Sequence, residues 1–378
     1  MSKFPVIGVL GGGQLGRMLL QEAFNLDLTV RVLDNDSDAP CKNLCSEFVI
    51  GNLLDYKTVL DFGRNCSIVT IEIEHVNIEA LFQLGKEGVK VFPQPNVLKL
   101  IQDKGLQKDF YKKHNLPTSA YFKVTGIRDE QIKNASFPFI MKTRTMGYDG
   151  KGVIKINNEQ ELLAHGFDSP SIIEECIAIK KEISVIVARN ANGEIKYYPP
   201  VEMEFNSEAN LVAFLVSPAA ISNELEEQSK GIAIKVIENF NMIGVLAVEM
   251  FITESNEILI NEVAPRPHNS GHQSIEGNRT SQYAQHLRAI LNLPLGCTEI
   301  TQPSVMLNLL GEKGYSGAVK YQGLTEILSM PEVYVHLYGK SITKPFRKMG
   351  HITILAETTQ EAHQRAIEVQ KIIKVIAE

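Results

Sequence analysis

Residues 4–18 read FPVIGVLGGGQLGRM: an apolar run, three glycines in succession, then a helix-forming segment. Gly11-Gly12-Gly13-Gln14-Leu15-Gly16 fits the GxGxxG spacing, in which free backbone N–H groups at a helix N-terminus receive a phosphate. Asp34 closes the next β-rich run, where a dinucleotide fold carries its ribose-binding acid. Working outward, TVRVLD, FVI, SIVTIE and VKVFP recur as far as Pro93 with helical stretches between them, which implies a parallel sheet with crossover helices. This first region is expected to be Rossmann-like, with a helix after Gly16. By itself the loop suits an NAD-dependent oxidoreductase, a turn that needs glycine only for packing, or a phosphate or ribose site for another ligand. The rest of the chain favours the third.

A chain of 378 residues has room for two or three domains, and a composition of 44% hydrophobic and 22% charged residues is that of an ordinary globular protein. The net charge of -6 provides no basic field to attract nucleic acid or an anionic membrane, so an anionic ligand must be held by local groups. The five cysteines (Cys41, Cys45, Cys66, Cys176, Cys297) have no metal-ligand or CxxC spacing and read as reduced residues of a cytoplasmic protein. Val6–Leu10 lacks the flanks of a signal peptide, and no apolar run approaches the length of a membrane span.

From about Gln94 to Thr118 the periodicity is helical and stops at Leu116-Pro117, so a second domain is expected to begin near residue 100. FIMKT, GVIKI, SIIEE, EISVIVAR, IKYYPP, LAVEMFIT and EILINEVA then read as strands of an antiparallel α+β domain, with a turn at Asn190–Gly193. A helix near Glu224–Phe240 turns Leu225, Ile232, Val236 and Phe240 toward that sheet. Short strands follow from Pro303, then a final amphipathic helix from Gln360. The expected division is 1–100, 101–300 and 301–378.

Lys142 ends a strand and precedes Met146-Gly147-Tyr148-Asp149-Gly150-Lys151-Gly152, a glycine loop able to close over a polyphosphate or to act as a plain hairpin turn. The sharpest signal is a pair of carboxylates. Pairing Thr253 with Ile258 across the turn Glu254–Glu257 sets Phe251 opposite Ile260 and Glu249 opposite Glu262, so two acids meet on one face. Directly opposed like charges are destabilising, and a hard cation such as Mg²⁺ relieves them; solvation on a wet sheet face is the alternative. Beyond that strand lies Ala264–His272 (APRPHNSGH), a donor-rich loop able to grip an anion or sugar phosphate. Tyr338-Gly339-Lys340 and Arg347–His351 (RKMGH) form a second basic cluster, which could also be a solvated face. Glu174, Glu175 and Glu182 could take a ribose hydroxyl or lie on the surface.

GGGQLGRM, MGYDGKG, NEVAPRPHNSGH and RKMGH, in this order over almost the entire chain, closely resemble the 5-(carboxyamino)imidazole ribonucleotide synthases of de novo purine biosynthesis, a family of ATP-grasp ligases. The resemblance implies an ATP-grasp fold with a Rossmann-like pre-ATP-grasp domain, a central ATP-grasp domain and a small C-terminal domain. It further implies ATP contacts at Lys104, Lys142, the Met146–Gly152 loop, Glu174, Glu175, Ile177, Glu182, Asn261 and Glu262, with Mg²⁺ on Glu249 and Glu262. The aminoimidazole ribonucleotide would lie between Gln14, Leu15, Glu72 and the C-terminal cluster, with Lys340, Arg347 and Lys348 on its phosphate. Tyr148, Asp149, Arg266, His268 and Asn269 would line the substrate and bicarbonate pocket, Arg266 or His268 orienting bicarbonate and Asp149 accepting the amine proton. A cytoplasmic homodimer follows from the same resemblance. Phe205 stands where many members have histidine, and Lys344-Pro345-Phe346 where many have Arg-Pro-Gly. An NAD oxidoreductase would leave the glutamate pair without a task, and a non-catalytic nucleotide-binding module would not need it.

Overall fold

The computed structural model describes residues 4–145, 147, 152–206 and 211–378. Met146, Tyr148, Asp149, Gly150 and Lys151, all expected at the nucleotide or substrate, lie outside the described residues.

The first layer is a parallel five-stranded sheet in the order Glu47–Ile50, Val30–Asp34, Ile7–Leu10, Ile68–Ile71, Lys90–Phe92. The order reverses between Ile7–Leu10 and Ile68–Ile71, and in such sheets ligands settle in the crevice outside the carboxyl ends of the strands at that reversal. Gly11 and Glu72, each one residue past its strand, therefore stand at the crevice. The first helix runs from Gln14 to Asn25, beginning inside the glycine motif rather than after Gly16. Two glycines there have a steric reason: a Cβ on Gly11 or Gly13 would come within 2.7 or 2.5 Å of a Glu72 carboxylate oxygen.

Two helices follow, Pro95–Ile101 and Lys104–Lys113, where the pattern suggested one helical stretch. The break is at Asp103, whose carboxylate caps the second helix by accepting from Gly105 N and Leu106 N. A four-stranded sheet comes next, ordered Tyr121–Val124, Ser171–Glu175, Phe139–Thr143, Val153–Ile156.

The largest sheet has nine strands, and eight of them lie in the path Ile258–Ala264, Gly244–Thr253, Ile179–Arg189, Val201–Asn206, Leu211–Ser217, Ser304–Leu310, Lys348–Leu355, Val333–Leu337. It crosses residue 300 without interruption, because Leu211–Ser217 pairs with Ser304–Leu310. The helix Asn223–Phe240 buries Ala233, Val236, Ile237 and Phe240 with Val248, Met250 and Ile260, while Leu225 and Ile232 are partly buried against the same core. Its start is capped by Ser222, which accepts from Leu225 N, and it ends at left-handed Asn241. The helix Thr359–Ile372 packs at the other end of the sheet through Ala362, Ala366 and Val369. Among the described residues no helix is long and apolar enough to cross a membrane.

One register differs from expectation. Glu249 does face Glu262, but Phe251 lies opposite Leu259 rather than Ile260, and Thr253 N bonds to Glu257 O. The hairpin closes one residue tighter than the pairing of Thr253 with Ile258, and a bulge between Glu249 and Met250 restores the carboxylate pair. The physical reason is burial: Ile258, Ile260 and Val263 all belong to the core, so Ile260 turns away from the Phe251 face and the extra residue is taken up at Asn261 and Glu262.

Candidate active site

The bulge lets two successive side chains, Asn261 and Glu262, reach the same cleft. Lys142 Nζ donates to Asn261 Oδ1 at 3.0 Å, and Lys104 Nζ donates to Glu262 Oε2 at 2.6 Å. Lys142 arrives from the strand Phe139–Thr143 and Lys104 from the start of the helix Lys104–Lys113, so three separate elements converge here. Burial and the facing acid push the Glu249 carboxyl up, whereas the Lys104 ammonium pulls Glu262 down. Glu262 keeps 45% of its side-chain surface open to the cleft, in the manner of a group set to meet a ligand.

Two facing carboxylates are hard oxygen donors, but among the described residues no group of three or more His, Cys, Asp or Glu could hold a metal. That donor set fits Mg²⁺, which keeps waters and completes its shell with nucleotide phosphates, better than an ion needing a full protein cage.

Glu174 lies behind Lys142. Its side chain is 4% exposed, yet Lys142 Nζ stands 3.1 Å from Oε1, and Oε2 accepts from Lys108 Nζ at 3.1 Å and from Ser119 Oγ at 2.7 Å. Burial would raise this acid, but Lys142, Lys108 and Ser119 outweigh it and hold it at about 2. Glu182, on the strand beside Glu249, is pushed up to about 7 by burial. Glu175 is exposed at the strand exit, and Ile177 lies in the link to the next strand. Gly147 and Gly152 stand at the two ends of the loop, Gly152 with φ +75° and its carbonyl bonded to Thr143 N.

The loop that follows the strand Ile258–Ala264 joins this half of the cleft to the other. Arg266 forms an ion pair with Glu74, Nη2 donating to Oε2 at 3.0 Å while Nε stands 2.8 Å from Oε1, which joins the loop to the parallel sheet's crevice. His268 Nε2 lies 3.5 Å from Glu249 Oε1. Because the Ser270 N–H donates to His268 Nδ1, that nitrogen carries the lone pair and Nε2 carries the proton facing Glu249. Asn269 is buried in a reciprocal amide pair with Asn308, at 2.9 and 3.1 Å. The later histidines of the two C-terminal motifs are packing groups. His272 and His351 pack at a tilt of 33° with centroids 4.7 Å apart, His336 stacks on His351 at 4.5 Å, and burial holds the first two well below the usual histidine range.

On the crevice side the glycine loop is already capped by acids. Gly12 N donates to Asp34 Oδ2 at 2.5 Å and Leu15 N to Glu72 Oε1 at 3.2 Å. Asp34 is thus tied into the loop itself, and the dinucleotide reading loses its ribose acid. Burial pushes Glu72 up to about 7 against the pull of Arg266 and Lys340, which places both cations in its field. Lys348 acts likewise on Glu249. Lys340 donates to Lys348 O, while Arg347 is half-buried and donates to Ile342 O. Gln14 is half-buried beside buried Leu15. Phe205 is 40% exposed on the strand Val201–Asn206.

Lys108, Ser119 and Glu74 were missed in the sequence. Lys108 alone left a signal, lying one helical turn from Lys104 and so on the same face.

Three family models match the chain: a ribonucleotide synthetase preATP-grasp domain at residues 4–102, an ATP-grasp domain at 109–283, and a phosphoribosylaminoimidazole carboxylase C-terminal domain at 304–365. The chain is 36% identical over 369 residues to the N5-carboxyaminoimidazole ribonucleotide synthase of Staphylococcus aureus, covering 95% of this chain and 94% of that protein. The crystal structure of the N5-carboxyaminoimidazole ribonucleotide synthetase from Thermotoga maritima is similar over 99% of this chain and 100% of that one, with a TM-score of 0.92 and 39% identity. That of the Aspergillus clavatus synthase in complex with ADP and 5-aminoimidazole ribonucleotide is similar over 98% of this chain and 100% of that one, with a TM-score of 0.89 and 34% identity. The chain spans 64% of the length of the phosphoribosylaminoimidazole carboxylase of Vigna aconitifolia, to which it is 37% identical over 93% of its own length.

Proposed function

The chain belongs to the N5-carboxyaminoimidazole ribonucleotide synthase family, and on that premise we propose that it uses ATP and bicarbonate to carboxylate the amine of 5-aminoimidazole ribonucleotide, releasing ADP and phosphate in purine biosynthesis. One observation carries the reading. The loop Ala264–His272 ties a phosphate-facing set, Lys104, Lys142 and the Glu249–Glu262 pair, to a crevice holding Glu72 and Lys340, through Arg266 with Glu74 and His268 beside Glu249.

Bicarbonate is a poor electrophile until one of its oxygens becomes a leaving group. In the proposed reaction a bicarbonate oxygen attacks the γ-phosphorus and the bond to ADP breaks. The amine nitrogen then attacks the carboxyl carbon, phosphate departs, and the nitrogen gives up a proton. Phosphoryl transfer asks mainly for position and charge neutralisation. Lys104 and Lys142 supply fixed cations for the phosphate oxygens. Mg²⁺ bound at Glu249 and Glu262 would add the divalent charge that this transfer needs.

His268 offers Nε2–H toward the acceptor, and Arg266, held by Glu74, orients the anion beside it. Lys340, Arg347 and Lys348 suit the substrate phosphate. The acid-capped glycine loop suits its neutral or donor groups instead, with Glu72 accepting from a hydroxyl or the amine. Asp149 is the proposed proton acceptor. We keep 1–100, 101–300 and 301–378 as the working division, and a cytoplasmic homodimer as the assembly, checked by sedimentation and cell fractionation.

The test is ADP release with bicarbonate, in the presence and absence of aminoimidazole ribonucleotide. Turnover that depends on that amine is expected. Turnover with a different amine acceptor only would sink the substrate assignment.

A further inference from the structure

Lys108 is the most deeply buried cation near the cleft that the proposed reaction does not use, with a side chain 2% exposed. Its ammonium is fully engaged, donating to Thr118 Oγ1 at 2.6 Å, Ser119 Oγ at 3.0 Å and Glu174 Oε2 at 3.1 Å. A lysine so placed cannot reach a nucleotide. Its effect must pass through Glu174, whose other oxygen faces Lys142 at 3.1 Å.

We infer that Lys108 is a positioning residue for the nucleotide: by matching the charge of Glu174 from behind, it leaves the charge of Lys142 free for a phosphate. The inference rests on the assignment of Lys142 to the triphosphate made above. The charge count explains the arrangement. Lys142 and Glu174 alone would form a neutral, closed pair, with the cation held back by its own partner. With Lys108 on the far oxygen, two ammoniums share one carboxylate, and the surplus positive charge sits on the member that faces the cleft. Lys142 donates to Asn261 and stands in ion-pair reach of Glu174 Oε1 without a hydrogen bond to it, and an ammonium has three N–H groups, so two remain for anionic oxygens among the described contacts. Burial lowers the Lys108 ammonium only to about 8, so it is charged at neutral pH.

The test is ATP binding by calorimetry to wild type, Lys108→Met, Glu174→Gln and the double variant, with aminoimidazole ribonucleotide binding measured in parallel. Lys108→Met should weaken ATP roughly tenfold or more, the cost of tying up one charged donor, and leave ribonucleotide affinity within about twofold. The double variant, which removes the carboxylate as well, should recover ATP affinity to within about threefold of wild type. A merely structural lysine would weaken both ligands together and would not be rescued by Glu174→Gln. Unchanged ATP affinity in Lys108→Met, or no recovery in the double variant, overturns the inference. If Lys108→Met does not fold, Lys108→Gln, which keeps a donor for Thr118 and Ser119, carries the same two readings. Failure of wild type itself to bind ATP would instead remove the function proposed for the cleft.

Discussion

At the scale of single residues the cleft is a problem of charge, and its acids behave in opposite ways according to their neighbours. Glu262→Gln should lower Mg²⁺-dependent ADP formation at least about a hundredfold, because it removes one of two facing ligands. Its melting temperature should change little, since relief of the contact with Glu249 offsets the lost ion pair with Lys104. Wild-type turnover in this variant would remove the metal role. Glu174 supplies a prediction about acid stability. Its carboxyl is held at about 2 in the fold, against 4.5 for an unperturbed glutamate. The folded state is therefore favoured at pH values above 4.5, and that contribution disappears as the pH falls toward 2, at about 1.4 kcal/mol per unit. Urea unfolding between pH 5 and 2 should show a shallower loss of stability in Glu174→Gln than in wild type. Equal slopes would mean that the two lysines do not hold this acid.

At the scale of elements, the helix Lys104–Lys113 carries both Lys104 and Lys108, and it begins where Asp103 fixes it. The same carboxylate takes a bidentate contact from Arg144, Nε at 3.0 Å and Nη2 at 2.6 Å, at the stem of the glycine loop. Asp103→Ala should cost about 1–2 kcal/mol in urea unfolding and raise KM for ATP, because it frays the turn that presents Lys104. An unchanged KM would detach the cap from nucleotide binding. Much of this architecture was legible in the sequence. Alternating apolar residues in LAVEMFIT and EILINEVA already set Glu249 against Glu262, and the glycine run marked the crevice. The bulge was not legible, since it depends on Ile260 being drawn into the core and on Ile260 N bonding to Pro117 O, 143 positions away. Lys108 drew no reading from the sequence because Ser119 and Glu174, which bury it, belong to other elements.

At the scale of the molecule, Arg266 and Glu74 connect the parallel sheet to the hairpin that carries Glu249 and Glu262, two parts with separate hydrophobic cores. Glu74→Gln should raise KM for aminoimidazole ribonucleotide roughly tenfold while leaving KM for ATP within about twofold, because it loosens only the crevice side. Equal changes in both constants would mean that the pair serves folding alone. The large sheet has a further consequence. One row of cross-strand partners runs from Glu262 through Glu249 and Ser184 to Val201, another from Asn308 through His351 to His336, and both belong to the same sheet, so Lys348 and the acid pair are spaced by one continuous set of strands. Lys142 stands on a separate four-stranded sheet, and Thr118, just ahead of that sheet's first strand, bridges to Ile260 of the large one. The acid pair and the C-terminal lysine are therefore not carried by separate bodies, and the distance between them is set by backbone pairing when the chain folds.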